Sequence, residues 1–195
     1  MNLKKNIAGI LLTSVVCVSA GNLSVTKGTV TVTGEDSSFS VTESATIIEG
    51  DNLYIHKGAD AALFDKSGKA ALMFKEKSEC VLLKSDKQTF SVKLTAGEAL
   101  LKEEGTAKSS IKSGGCTVTP VGTAGAVKVK PDGSPKVGVL EGSMNFTSPD
   151  GKSINITGGS FASFNKQNKT FTPVQELPES ALESLKEFAG NIPDT

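Results

Sequence analysis

Apolar residues in this chain recur two positions apart, in pairs, and the pairs are broken every few residues by turn chemistry. Val30/Val32, Phe39/Val41, Leu53/Ile55, Leu72/Phe74, Val81/Leu83 and Phe90/Val92/Leu94 each set their side chains on one face of an extended segment, because successive residues of a strand point to opposite sides. Between them stand Gly34-Glu35-Asp36, Gly50-Asp51-Asn52, Asp65-Lys66-Ser67-Gly68 and Ser85-Asp86-Lys87. In such turns glycine supplies positive φ and aspartate bonds its own backbone, so no ligand is needed to account for them. Short strands at this spacing predict an all-β fold, wound as a solenoid-like body or a sandwich.

The clearest stretch runs from Cys116 to Phe146. Val127/Val129, Val137/Val139 and Met144/Phe146 predict three strand segments, with Pro131-Asp132-Gly133 as a tight corner. Leu140-Glu141-Gly142 adds a residue that switches which parity faces inward. After Pro149-Asp150-Gly151, the residues Ile154/Ile156, Gly158-Gly159, Phe161 and Phe164 predict a closing hairpin-like unit. Glu98 to Ser113 is rich in lysine and glutamate and reads as an exposed edge or loop joining two halves. The tail differs in kind: Leu177-Pro178-Glu179-Ser180, then Ala181, Leu182, Leu185, Phe188 and Ala189, has helical spacing with Gly190 as a stop. A short amphipathic helix is expected there, packed on the β body or covering an open end of it.

Two segments carry a family resemblance. Ile47 to Phe74 (IIEGDNLYIHKGADAALFDKSGKAALMF) and Cys116 to Phe146 (CTVTPVGTAGAVKVKPDGSPKVGVLEGSMNF) look like the two halves of a FecR-type domain, together spanning about Gly28 to Phe164. The likeness lies in corners and strand spacing. Such domains commonly have an arginine ahead of the GT that follows TP; here Val121 directly precedes Gly122-Thr123, so no role of that arginine carries over. The resemblance implies a sensing or binding role in the bacterial envelope, since the family's namesake relays an iron-siderophore signal from an outer-membrane receptor to a cytoplasmic sigma factor. This chain shows no anti-sigma region, spanning segment or secretin-like part beside it.

The N-terminus changes the picture of compartment. Lys4-Lys5, an apolar run from Ile7 to Val18 and the small pair Ser19-Ala20 have the form of a secretory signal peptide, with cleavage after Ala20. Cys17 invites a lipoprotein reading, but Val16 stands where a lipobox has a small residue, which favours cleavage over lipidation. The apolar run is shorter than the ~20 residues a spanning helix needs, so no membrane span is expected. The organisation is therefore a signal peptide at 1–20, a FecR-like all-β domain at 21–175 and a helix with its tail at 176–195, periplasmic or secreted.

Charge excludes one class of partner. The chain has 21 basic and 21 acidic residues, and every basic one is lysine. Without Lys4 and Lys5, nineteen lysines face twenty-one acids, a net of −2. There is no basic field and no guanidinium fork for nucleic acid.

Candidate chemistry is sparse. His56 is the only histidine, and alternation turns it away from Ile55 to the outside of its strand. A metal site would need partners at motif spacing that the chain does not offer, and no cofactor motif or nucleophile elbow is present. Cys80 and Cys116 are the thiols left once the leader is removed; an oxidising compartment and an even count point to a disulfide between them, the alternative being two buried small hydrophobes. The chain reads as a non-enzymatic envelope protein whose strand edges or lysine-rich faces bind another envelope protein or a cell-wall glycan. A structural protein that associates with copies of itself through the same edges is the other reading.

Overall fold

The structure, a computed structural model, describes residues 20–190 apart from 66, 69, 87 and 104–107. The expected leader lies outside these residues except for Ala20, as does Cys17. Described strands are, in chain order, β1 (Ala20–Lys27), β2 (Val30–Thr33), β3 (Ser38–Val41), β4 (Ser44–Ile48), β5 (Asn52–Ile55) and β6 (Asp60–Phe64). There follow β7 (Ala70–Phe74), β8 (Glu79–Ser85), β9 (Thr89–Ala96), β10 (Glu98–Glu103), β11 (Lys108–Ser113) and β12 (Cys116–Val129). The last are β13 (Pro135–Thr147), β14 (Ser153–Thr157), β15 (Ser160–Asn165), β16 (Thr170–Phe171) and β17 (Gln175–Glu176), before the helix α1 (Glu179–Gly190).

The pairings make one sheet that divides into two arms at the long β12–β13 hairpin. One arm runs β4-β1-β6-β7-β10 and joins the second half of β12, then β13 and β15. The other runs β3-β2-β5-β8-β9-β11 and joins the first half of β12, then β13 and β14. Only β9–β11 is parallel among these ladders. Between Val121 and Ala124 the β12–β13 register slips, and here the hairpin passes from one arm to the other. The inward residue switches parity at the same place, from Val139 to Met144, as the Leu140-Glu141-Gly142 sequence leads one to expect. The result is all-β and close to a closed barrel.

Both arms turn their apolar parity to a single core. Leu23, Leu63, Leu72, Ala99, Leu101 and Val127 come from the first arm; Val30, Leu53, Leu82, Val92, Ile111 and Phe146 come from the second. The chain crosses between arms at most connections, through tight corners. At one, Gly28 (φ 79°) brings its backbone so close to Ala59 that a Cβ would lie 2.7 Å from the Ala59 Cα. At another, Gly97 (φ 84°) would place a Cβ 2.5 Å from the Cα of Ser78. Ser78 is buried there, its hydroxyl donating to the Glu98 carbonyl and accepting from the Glu98 amide, both at 3.0 Å.

Two expectations are corrected. The described residues of Glu98 to Ser113 are not an exposed joint: β10 lies between β7 and β12, and β11 between β9 and β12. The reason is the run Ala99-Leu100-Leu101, all buried, with Ala99 and Leu101 in the main core and Leu100 on the opposite face. In β8 the inward residues are Cys80 and Leu82, while Val81 and Leu83 are half-buried on the other side.

The tail helix forms where its spacing places it, with the Ala181 and Leu182 amides donating to the Pro178 carbonyl. It does not cap an end. Leu185 and Phe188 pack on the outer face of the first arm, over Met73, Leu100 and Ala126. This small second core, with Leu177 and Ala189 at its border, explains why Leu100 and Met73 are apolar on a face that would otherwise meet water.

Candidate functional site

One opening for a partner is the margin of the second arm. The β2–β3 hairpin forms around Gly34-Glu35-Asp36-Ser37, closed by the Gly34 amide donating to the Ser37 carbonyl at 2.8 Å. Among the described residues β3 is paired with β2 alone, so its far side presents unpaired backbone groups. Natural edges are usually blunted by a charge, a proline or a bulge. β3 reads Ser38-Phe39-Ser40-Val41 and has none of these, shortness being its only protection. Ser38, Phe39 and Ser40 are exposed, and Val41 turns into the core.

Phe39 has the inward parity, directly opposite the fully buried Val32, yet stands at the sheet margin with 45% of its surface exposed. On the outer face a row without charge runs from Ser40 through Thr31 to Tyr54, which is also exposed. The Tyr54 ring meets His56 edge-on at 4.7 Å, and His56 Nε2 shares a hydrogen bond with the Thr31 hydroxyl at 2.9 Å. The histidine is thus half-buried and engaged with its own sheet. Backbone polarity at the edge with two exposed aromatic rings near it suits an extended peptide: main-chain bonds supply affinity, and side-chain contacts supply selection.

The cysteines do not meet. Cys80 lies on β8 opposite Leu94, and Cys116 opens β12 opposite Ser113; both are buried and both are free thiols. Strands β9 and β11 stand between those that hold them. At ~4.8 Å per strand that is roughly 14 Å across a flat sheet, against the ~7 Å a disulfide allows. Burial pushes the Cys80 thiol far up; burial, with Asp150 nearby, raises Cys116 to about 11. The expected bridge is absent from this structure because the two halves join through ladders instead.

Turn carboxylates are engaged by the backbone. Asp51 accepts from the Ile48 amide at 2.9 Å and Asp65 from the Ala70 amide at 3.1 Å. Asp86 accepts from Gln88 and Thr89, and Asp132 from Ser134, which holds both carboxyls below their ordinary range. Asp150 is pulled lower still, to about 2, by Lys152 at 2.8 Å and by the Ser148 hydroxyl. Among the described residues no three His, Cys, Asp or Glu side chains gather as a metal site, and no helix is long and apolar enough to cross a membrane.

Sequence reasoning passed over Phe39 as one member of an inward pair. Nothing in its neighbourhood marks it as marginal, since an edge is defined by which strands pair and not by local pattern. The one available signal is the absence of charge from Ser37 to Thr42.

No family model matches the chain, and no curated protein matches it. Its fold is similar to that of a protein of Parabacteroides distasonis described as a "putative anti-sigma factor", seen in two crystal structures. In each the TM-score is 0.57 at 12% identity over 68% of this chain. The chain matches 63% and 62% of those chains, under two thirds of their length. At that identity the likeness is one of fold.

Proposed function

We propose that this protein is a FecR-like, non-enzymatic binding module of the bacterial envelope, exported to the periplasm, which takes a protein partner by strand addition along β3. The FecR-type corners at Gly50-Asp51 and Asp132-Gly133 and the fold shared with a protein described as a "putative anti-sigma factor" support the class. A link to envelope signalling follows from the same likeness. The observation behind the binding mode is the open, uncharged edge of β3 with Phe39 exposed beside it. Phe39→Lys and Ser40→Lys place charges on that edge at exposed positions, where the fold should tolerate them. Both should abolish capture of a partner from envelope extract, and amide exchange at Ser38 and Ser40 should slow in the wild-type complex. Capture that survives both variants, with protection elsewhere, would sink the strand-addition reading.

Self-association is a second reading with its own support. The second arm ends at β3 on one side and β14 on the other, and β14 (Ser153-Ile154-Asn155-Ile156-Thr157) is likewise uncharged and paired on one side only among the described residues. A copy adding its β3 to another's β14 would form an open, head-to-tail chain. Sedimentation velocity separates the readings: the binding module stays monomeric as concentration rises, whereas head-to-tail addition gives species that grow with it.

A further inference from the structure

Across the outer face of the first arm, four neighbouring strands each present one charged residue in a single row. Lys75 follows β7, and its amide donates to the Glu98 carbonyl at 3.0 Å. Glu98 stands opposite Lys128, and Lys128 directly opposite Lys136. The row therefore reads positive, negative, positive, positive. Glu98 is only 14% exposed, and each of its oxygens has one lysine: Oε1 lies 3.1 Å from Lys75 Nζ and Oε2 3.5 Å from Lys128 Nζ. Its backbone is held by Ser78 beside the close corner at Gly97, and both of its carboxylate oxygens are already engaged.

Lys136 is left over. Among the described residues no carboxylate lies within ion-pairing distance of it, and its ammonium rests 4.0 Å over the Phe161 ring. Like charges directly opposite each other on a sheet destabilise it; Lys128 is offset by Glu98, whereas Lys136 has only the face of the Phe161 ring. One negative charge between them would complete the alternation.

There is room for it. The row borders a groove between the sheet and α1, a cavity of about 210 Å³ floored by Ala126 and Gly138 and walled by Leu177, Ser184 and Leu185. At ~30 Å³ per water this is room for about seven waters, enough for one or two side chains. The floor and much of the wall are apolar, which suits a charged head on a carbon stem better than a bare ion.

We infer that this groove binds a carboxylate side chain of an acidic peptide segment, its head between Lys128 and Lys136 and its stem over Ala126 and Gly138. The site lies on the other arm from β3 and does not depend on strand addition, so β3 variants leave it intact. Gly138 offers a steric probe: a Cβ there would sit 3.6 Å from Leu177 and Leu185, an ordinary contact that narrows the floor without forcing the fold.

The test titrates the purified protein with acetyl-Leu-Glu-Leu-amide, its Leu-Gln-Leu counterpart and inorganic phosphate, read by calorimetry and amide chemical shifts. The glutamate peptide should shift Lys128, Lys136 and Ser184, and bind about tenfold or more tightly than the glutamine peptide, as a charge-assisted contact requires. Rising salt should weaken it. Lys136→Gln and Gly138→Ala should each cut affinity about fivefold or more, while Lys136→Gln leaves the melting temperature about unchanged, the relieved repulsion offsetting the lost contact with Phe161. Equal binding of the two peptides, shifts that map away from the groove, or phosphate binding tighter than the peptide would overturn the assignment. So would Lys136→Gln binding as well as wild type.

Discussion

A thiol packed among aliphatic side chains loses more by ionising than one in water, and both cysteines of the described residues are in that position. We predict that native protein at pH 8 is alkylated slowly, and that denatured, unreduced protein takes up two labels at Cys80 and Cys116. Label-free denatured protein would restore the disulfide, and rapid labelling of the native state would show that the thiols are not buried in solution. The position of Cys80 also shows where single-residue reasoning stops. Ser78-Glu79-Cys80-Val81-Leu82-Leu83 holds four apolar residues in succession, so Cys80/Leu82 and Val81/Leu83 alternate equally well, and only pairing with Leu53 and Leu94 selects the first. Where polar residues flank the pair, as at Val30/Val32 and Leu53/Ile55, the parity read from the chain is the one in the core. His56 was legible for the same reason, while Phe39 was not: its parity is right, but its exposure comes from having no strand beyond it.

Short elements owe their environment to what lies beside them, and β10 and α1 show this from opposite sides. The charges at Glu98, Lys102 and Glu103 made β10 look like surface, yet three consecutive apolar residues need two covered faces, and the second cover is the helix. Helical spacing from Ala181 to Ala189 was plain in the chain; the face that receives it was not, because Met73, Leu100 and Ala126 come from three distant strands. Phe188 is the larger of the two buried helix residues, and Lys75 lies 4.8 Å over its ring. Phe188→Ala should cost about 3 kcal/mol in urea unfolding, the lower end for a buried phenylalanine because the helix can settle at its margin. A loss below about 1 kcal/mol would mean that the helix is not docked in solution. The turn elements were the most legible of all, since aspartates at 51, 65, 86 and 132 bond the backbone as such residues do in tight corners.

Sequence order and spatial order diverge across the molecule. β1 lies between β4 and β6, and β10 between β7 and β12, so most neighbours in an arm are remote in the chain. Periodicity predicted the class of fold, but the choice between solenoid and sandwich needed long-range pairing, which no local pattern holds. The β12–β13 hairpin belongs to both arms and joins them into one nearly closed, barrel-like sheet. Its place in the chain sets an order in time. A polypeptide emerging with its N-terminus first carries two half-sheets, and until β12 has appeared, to Lys128, no described ladder joins one to the other. Joining of the arms waits until about two thirds of the chain has been made, so the half-sheets stay separate for most of synthesis, a state that the export proposed for this protein would need.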